Sequence, residues 1–141
     1  MGSHAVIVLD THVMLWLVSG DDSLGEKSRE MIDKAYRDTS NQQLAVSAIT
    51  FWEVSLLQQK SRIEFNESVS GWRKELLRQG VHEIAVSGDV AVASTNLADF
   101  HADLADRFIV TSAMQSHATL ITADKKILNW QGDLACFDAR K

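Results

Sequence analysis

The run Ala5-Val6-Ile7-Val8-Leu9-Asp10 decides the fold. Five apolar residues in succession, three of them β-branched, do not alternate as a half-exposed strand would. Such a run reads as a strand buried on both faces, the habit of parallel sheets. Working outward, the spacing predicts a helix over 12–19, stopped near Gly20. A second helix over 23–38 puts Leu24, Ser28, Met31, Ile32, Ala35 and Tyr36 on one face. Further strands are expected over 43–47, 83–86, 119–122 and 134–137, and further helices over 50–59, 68–79, 89–97, 105–117 and 125–130. Strands alternating with helices imply an α/β fold, a mainly parallel sheet of four to five strands covered on both faces.

The chain has 141 residues, 45% hydrophobic and 23% charged, enough for one domain with a core of its own. Met1-Gly2-Ser3-His4 reads as an expression-vector scar, which leaves 5–141 as a single expected domain. A single cysteine, Cys136, excludes an internal disulfide framework and a Cys-rich zinc site, and reads as an inert core thiol. No proline is present. The longest apolar stretch, 5–18, is interrupted by Asp10 and His12 and is too short for a membrane span, so a cytoplasmic protein is expected. The net charge of -5 requires that any contact with nucleic acid be made through a local basic patch.

The informative residues are carboxylates. Asp10 and Asp124 each follow a strand, at the end where open parallel sheets bind ligands. Each also fits a helix N-cap. Glu53 shares a helical face with Ile49, Trp52, Leu56 and Leu57, where an unpaired carboxylate is costly to bury. Thr50-Phe51-Trp52-Glu53 also fits a capping box, in which Glu53 returns to a backbone N–H. Asp106 rides the stripe of Ile109, Val110 and Ala113, and Asp103 precedes that helix as its better cap.

Four acids from two strand ends and two helix starts can meet at one rim of the sheet. There they repel unless protonated or neutralised by cations. Without Cys/His spacing for zinc, an all-oxygen site suits Mg²⁺ or Mn²⁺, one or two ions, acting on phosphate. Arg107, Lys125 and Lys126 adjoin two of the acids and are candidate phosphate contacts, whereas Arg73, Lys74 and Arg78 read with Glu75 as a solvated helix face. A receiver-type or dehalogenase-like phosphotransfer domain would need acids that Thr11, His12 and the end of the third strand at Val86-Ser87 do not supply. A catalytically inactive binding module is a further alternative, against which all four acids speak.

Val8-Leu9-Asp10-Thr11-His12, Ser47-Ala48-Ile49-Thr50-Phe51-Trp52-Glu53-Val54, His101-Ala102-Asp103-Leu104-Ala105-Asp106-Arg107-Phe108-Ile109 and Leu120-Ile121-Thr122-Ala123-Asp124, in this order, resemble the four signatures of PIN domains, nearest to VapC-type toxins of toxin–antitoxin pairs. The resemblance implies a three-layer α/β/α sandwich and a Mg²⁺- or Mn²⁺-dependent endoribonuclease. It implies metal-site and catalytic roles for Asp10, Glu53, Asp106 and Asp124, an extra acid at Asp103, and supporting hydroxyls at Thr11 and Thr122. The family often has proline where Ala48 and Leu104 stand. A cognate antitoxin and a homodimer are also implied. Val13, Met14, Trp16, Leu17, Met31 and Tyr36 on the first two helices supply apolar bulk for such partners, or for the core.

Overall fold

In the computed structural model, which describes residues 5–100 and 103–141, five strands are laid down in chain order: β1 (Ala5–Leu9), β2 (Gln42–Ser47), β3 (His82–Ile84), β4 (Thr119–Thr122) and β5 (Ala135–Asp138). They form one sheet of order β3-β2-β1-β4-β5, and every adjacent pair is parallel. β1 is therefore central, paired through Ile7 with Leu44 and through Leu9 with Ile121. The apolar run is explained by that position: Val8 and Leu9 are fully buried.

Helices α1 (Thr11–Ser19), α2 (Glu26–Arg37), α3 (Ile49–Gln59) and α4 (Val69–Arg78) place Val13, Ile32, Val54 and Trp72 in a core with Ile7, Leu9 and Val46. Helices α6 (Leu104–Gln115) and α7 (Lys125–Leu128) cover a separate core built on Val8, Ala45 and Leu120. Alternate residues of β1 thus face different helical layers, which is the expected α/β/α sandwich. Among the described residues no helix is long and apolar enough to cross a membrane.

The boundaries move where local bonds override periodicity. α2 starts at Glu26, not 23, because Asp21 accepts from the Ser23 N–H and the Leu24 N–H bonds back to the Asp21 carbonyl. α5 (Gly88–Ala93) tightens into a 3₁₀ turn at Ser94–Asn96. α1 stops as expected at Gly20, whose φ of 67° is left-handed. Val13 and Met14 are core residues, so they contribute nothing to a partner face, whereas Tyr36 is exposed. The reason is that α1 packs that side into the core with Leu9 and Ile121.

Gly25 has a tertiary role. A Cβ there would lie 2.1 Å from the Lys141 carbonyl carbon. The bare backbone lets the end of β5 dock on α2: the Gly25 N–H donates to Ala139 O at 2.8 Å and the Ser28 N–H to Lys141 O at 3.1 Å. Residues 1–4 and the signature residues His101 and Ala102 lie outside the described residues.

Candidate metal centre

Asp10 leaves the carboxyl end of β1 and caps α1. Its Oδ1 accepts from the Thr11 N–H at 2.8 Å and its Oδ2 from the Thr122 hydroxyl at 2.7 Å. Thr122 ends the neighbouring β4, and its Oγ1 also accepts from the Asp124 N–H at 3.1 Å. One hydroxyl thereby fixes both strand-end acids. Asp124 caps α7 through the Lys126 N–H at 2.8 Å. The capping and site readings of Asp10 and Asp124 are compatible, because a carboxylate has about four lone-pair positions and a cap takes one.

Glu53 resolves differently. α3 begins at Ile49, and the Ile49 N–H bonds to Ser47 Oγ at 3.2 Å, so Thr50 is already inside the helix. The capping box does not form. Instead Glu53 Oε1 accepts from the Thr11 hydroxyl at 2.5 Å, and Thr11 Oγ1 lies 3.2 Å from Thr50 Oγ1. Asp103 caps α6 by accepting from the Asp106 N–H at 3.1 Å, which holds Asp106 in the first helical turn.

These elements converge. Asp10, Glu53, Asp103, Asp106 and Asp124 all line one cavity of about 390 Å³. The electrostatic cost is plain. Burial, then the charges of Asp10, Asp103, Glu53 and Asp124, push the Asp106 carboxyl up to about 8. Burial also raises Asp10, against the hydrogen bonds from Thr122 and Thr11, and raises Glu53, against the Thr11 hydroxyl. A set of carboxylates that resist ionising together is suited to a cation of high charge, and the donors are all oxygen. Among the described residues no three of these side chains are yet drawn into a closed ligand cluster. They line the cavity singly, and their chemistry fits a hard divalent ion such as Mg²⁺ or Mn²⁺.

Sequence reasoning missed Arg140. It lines the same cavity, donates from Nη1 to Ala123 O at 2.7 Å, and lies over the Trp16 ring at 5.6 Å. Among the described residues it forms no ion pair. Its only sequence signal was a cation just after the last strand. His12 is exposed and lines the cavity as well. Lys125 and Lys126 line a different cleft. Arg107 donates to Ser94 O at 3.1 Å and to Phe100 O at 2.5 Å, and so buttresses the loop before α6. Arg73 forms a bidentate pair with Glu83 at 2.6 and 2.7 Å, and Arg78 pairs with Glu75, both away from the acids.

The sequence profile described as PIN domain matches residues 7–131. The chain belongs to the PIN domain family. This PIN domain is 28% identical over 122 residues to Ribonuclease VapC22 of Mycobacterium tuberculosis, covering 86% of this chain and 88% of that protein. Among solved structures it is similar to VapBC2 from Rickettsia felis bound to a promoter DNA fragment, at 17% identity and a TM-score of 0.66 over 94% and 97% of the two chains. It is also similar to VapBC-1 from nontypeable Haemophilus influenzae, at 20% identity and a TM-score of 0.66 over 96% and 99%. These likenesses establish the PIN fold. They also frame the two departures from its usual sequence. The Ala48 N–H donates to Ile84 O at 2.8 Å, a bond that proline cannot make, so alanine ties β2 to β3 there. Leu104 is the first residue of α6, where proline and leucine are both accommodated.

Proposed function

We propose that this chain is a divalent-cation-dependent endoribonuclease and the toxin of a toxin–antitoxin pair. The observation that carries the reading is the meeting of Asp10, Glu53, Asp106 and Asp124 in one cavity that the Arg140 guanidinium also lines. The similarity to Ribonuclease VapC22 supports RNA as substrate. Asp10, Glu53, Asp106 and Asp124 would hold one or two Mg²⁺ or Mn²⁺ ions, with Asp103 lining the same cavity. A bound divalent ion supplies neutralisation of the phosphodiester charge and acidity for water.

The protein's own groups do the rest. Thr11 and Thr122 keep Asp10 and Glu53 oriented for their ligand role. Asp124 or Asp106 orients the attacking water by accepting its hydrogen bond, and the proton that the water loses as the new P–O bond forms ends on the leaving ribose oxygen as its bond to phosphorus breaks. Arg140, pinned by Ala123 and Trp16, presents its remaining N–H groups to a phosphate oxygen. The setting is the cytoplasm.

Two partners belong to this reading. The solved VapBC complexes support a cognate antitoxin, whose arginine would pair with the acids and displace the cation. A homodimer is supported by Trp52 and Leu104, 50% and 56% exposed on α3 and α6, beside one small cavity. Light scattering at tens of micromolar tests it, a strictly monomeric mass removing the dimer.

The deciding experiment is cleavage of a panel of tRNA, rRNA and mRNA with Mn²⁺, read by end mapping. Discrete cuts that EDTA abolishes and Asp10→Asn lacks are expected. Cuts that persist in Asp10→Asn, with contaminating nuclease excluded, overturn the site.

A further inference from the structure

Past Asp124, the first turn of α7 leads into a second cleft, about 630 Å³ in volume. Lys125 and Lys126 line it, both exposed and, among the described residues, in no ion pair. In a chain of net charge -5 this is a local reversal of sign. One acid, Asp99, lines the cleft too. Its opposite feature is Trp130, which is held in three ways. Its Nε1–H donates to Ala98 O at 2.8 Å, its ring packs edge-on against Phe100 at 5.1 Å, and Gly132 lies so close that a Cβ would fall 2.1 Å from the indole. Gly132 thus lies against the six-membered ring of the indole, and the half-buried ring offers the cleft only the surface that Gly132 and Phe100 leave uncovered.

Adjacent cations beside a fixed aromatic ring are the combination that holds single-stranded nucleic acid: phosphates meet the ammonium groups and a base stacks on the ring. Pre-ordering the indole removes an entropic cost of binding. The cleft is also joined rigidly to the acidic cavity, since Asp124 lines that cavity while its Oδ1 holds the Lys126 N–H at 2.8 Å.

We propose that this cleft is a flanking subsite for single-stranded RNA, with Lys125 and Lys126 on the phosphates and a base against the uncovered part of Trp130. The inference rests on the ribonuclease reading above and extends it to the nucleotides beside the scissile bond.

The test measures binding of a fluorescein-labelled 12-nucleotide oligouridylate, and of a 4-nucleotide one, by anisotropy in an Asp10→Asn background that does not cut. Lys125→Gln with Lys126→Gln should weaken binding of the 12-mer about tenfold or more. It should also reduce the slope of log affinity against log salt by about 1.4, two contacts at about 0.7 each on a single strand. The 4-mer should lose less. Unchanged affinity and slope for the 12-mer overturn the subsite and leave the ribonuclease reading standing. No RNA binding by the parent, together with no Mn²⁺-dependent cleavage by the unsubstituted protein, overturns both. Both lysines are exposed, so the variant should melt like its parent, and a thermal scan confirms that the fold is intact.

Discussion

The hydroxyl of Thr11 donates to Glu53 Oε1 at 2.5 Å, joining the start of α1 to the middle of α3 across 42 residues. Its neighbour in sequence, Asp10, is tied in the same manner to Thr122 across 112 residues. Two carboxylates of the cavity are thus held by hydroxyls from elements other than their own. This arrangement orients acids that burial and mutual repulsion would otherwise scatter.

Replacing Thr11 by Val should therefore act on the site more than on the fold. The isosteric side chain fills the same space but leaves Glu53 without its donor. A hydrogen bond to a charged group contributes about 1.5–3 kcal/mol, so Mn²⁺ affinity should fall by about tenfold or more. Calorimetric titration checks this. Wild-type affinity would mean that Glu53 is oriented by something other than Thr11.

Asp10→Asn should leave the cation-free protein as stable as the wild type or more so. The amide keeps an acceptor for the Thr11 N–H while removing a buried charge whose ionisation is disfavoured. Thermal unfolding in EDTA and then in Mn²⁺ separates the two effects. The wild type should be stabilised by Mn²⁺, by about 2.7 kcal/mol at a hundredfold excess over the dissociation constant, and the variant should not.

Capping of α3 is expected to depend on Ser47 and not on Glu53. Ser47→Ala removes the acceptor of the Ile49 N–H and should cost about 0.5–2 kcal/mol. Glu53→Gln should change stability little while abolishing cleavage. Chemical denaturation of both variants checks the pair. A large stability loss in Glu53→Gln with activity retained would restore the capping box.

The stability of the cation-free protein should fall as pH rises from about 5 to about 8. Asp10, Glu53 and Asp106 have their carboxyls raised in the folded state, Asp106 to about 8. Over that window the folded chain holds protons that the unfolded chain has lost, so raising pH favours unfolding, and the effect levels off above about 8. Asp21, Glu75 and Glu83 shift downward, Glu75 to about 2, and their contributions are lost only at lower pH. Urea unfolding in EDTA at several pH values measures the slope. Saturating Mg²⁺ should reverse it, because the cation binds the ionised form.

The sequence by itself determined the order of strands and helices, the apolar core stripes, and the identity of the acids. Those features are written in local periodicity, in runs such as Val6-Ile7-Val8-Leu9, and in signatures a few residues long. It also placed Asp103 as the cap of α6, since a cap is a contact three residues long. The tertiary structure alone decided who bonds to whom across the chain. Thr50-Phe51-Trp52-Glu53 carries a capping-box pattern, yet Glu53 turns to Thr11 because α1 crosses α3 there and the helix has already begun. Arg140 enters the acidic cavity because the bare backbone of Gly25 admits the last residues onto α2. Lys125 and Lys126 adjoin Asp124 in sequence but line another cleft, together with Ala98, Asp99 and Phe100, which precede α6 in the chain. Each of these outcomes depends on packing between residues far apart in the chain, which no local pattern encodes.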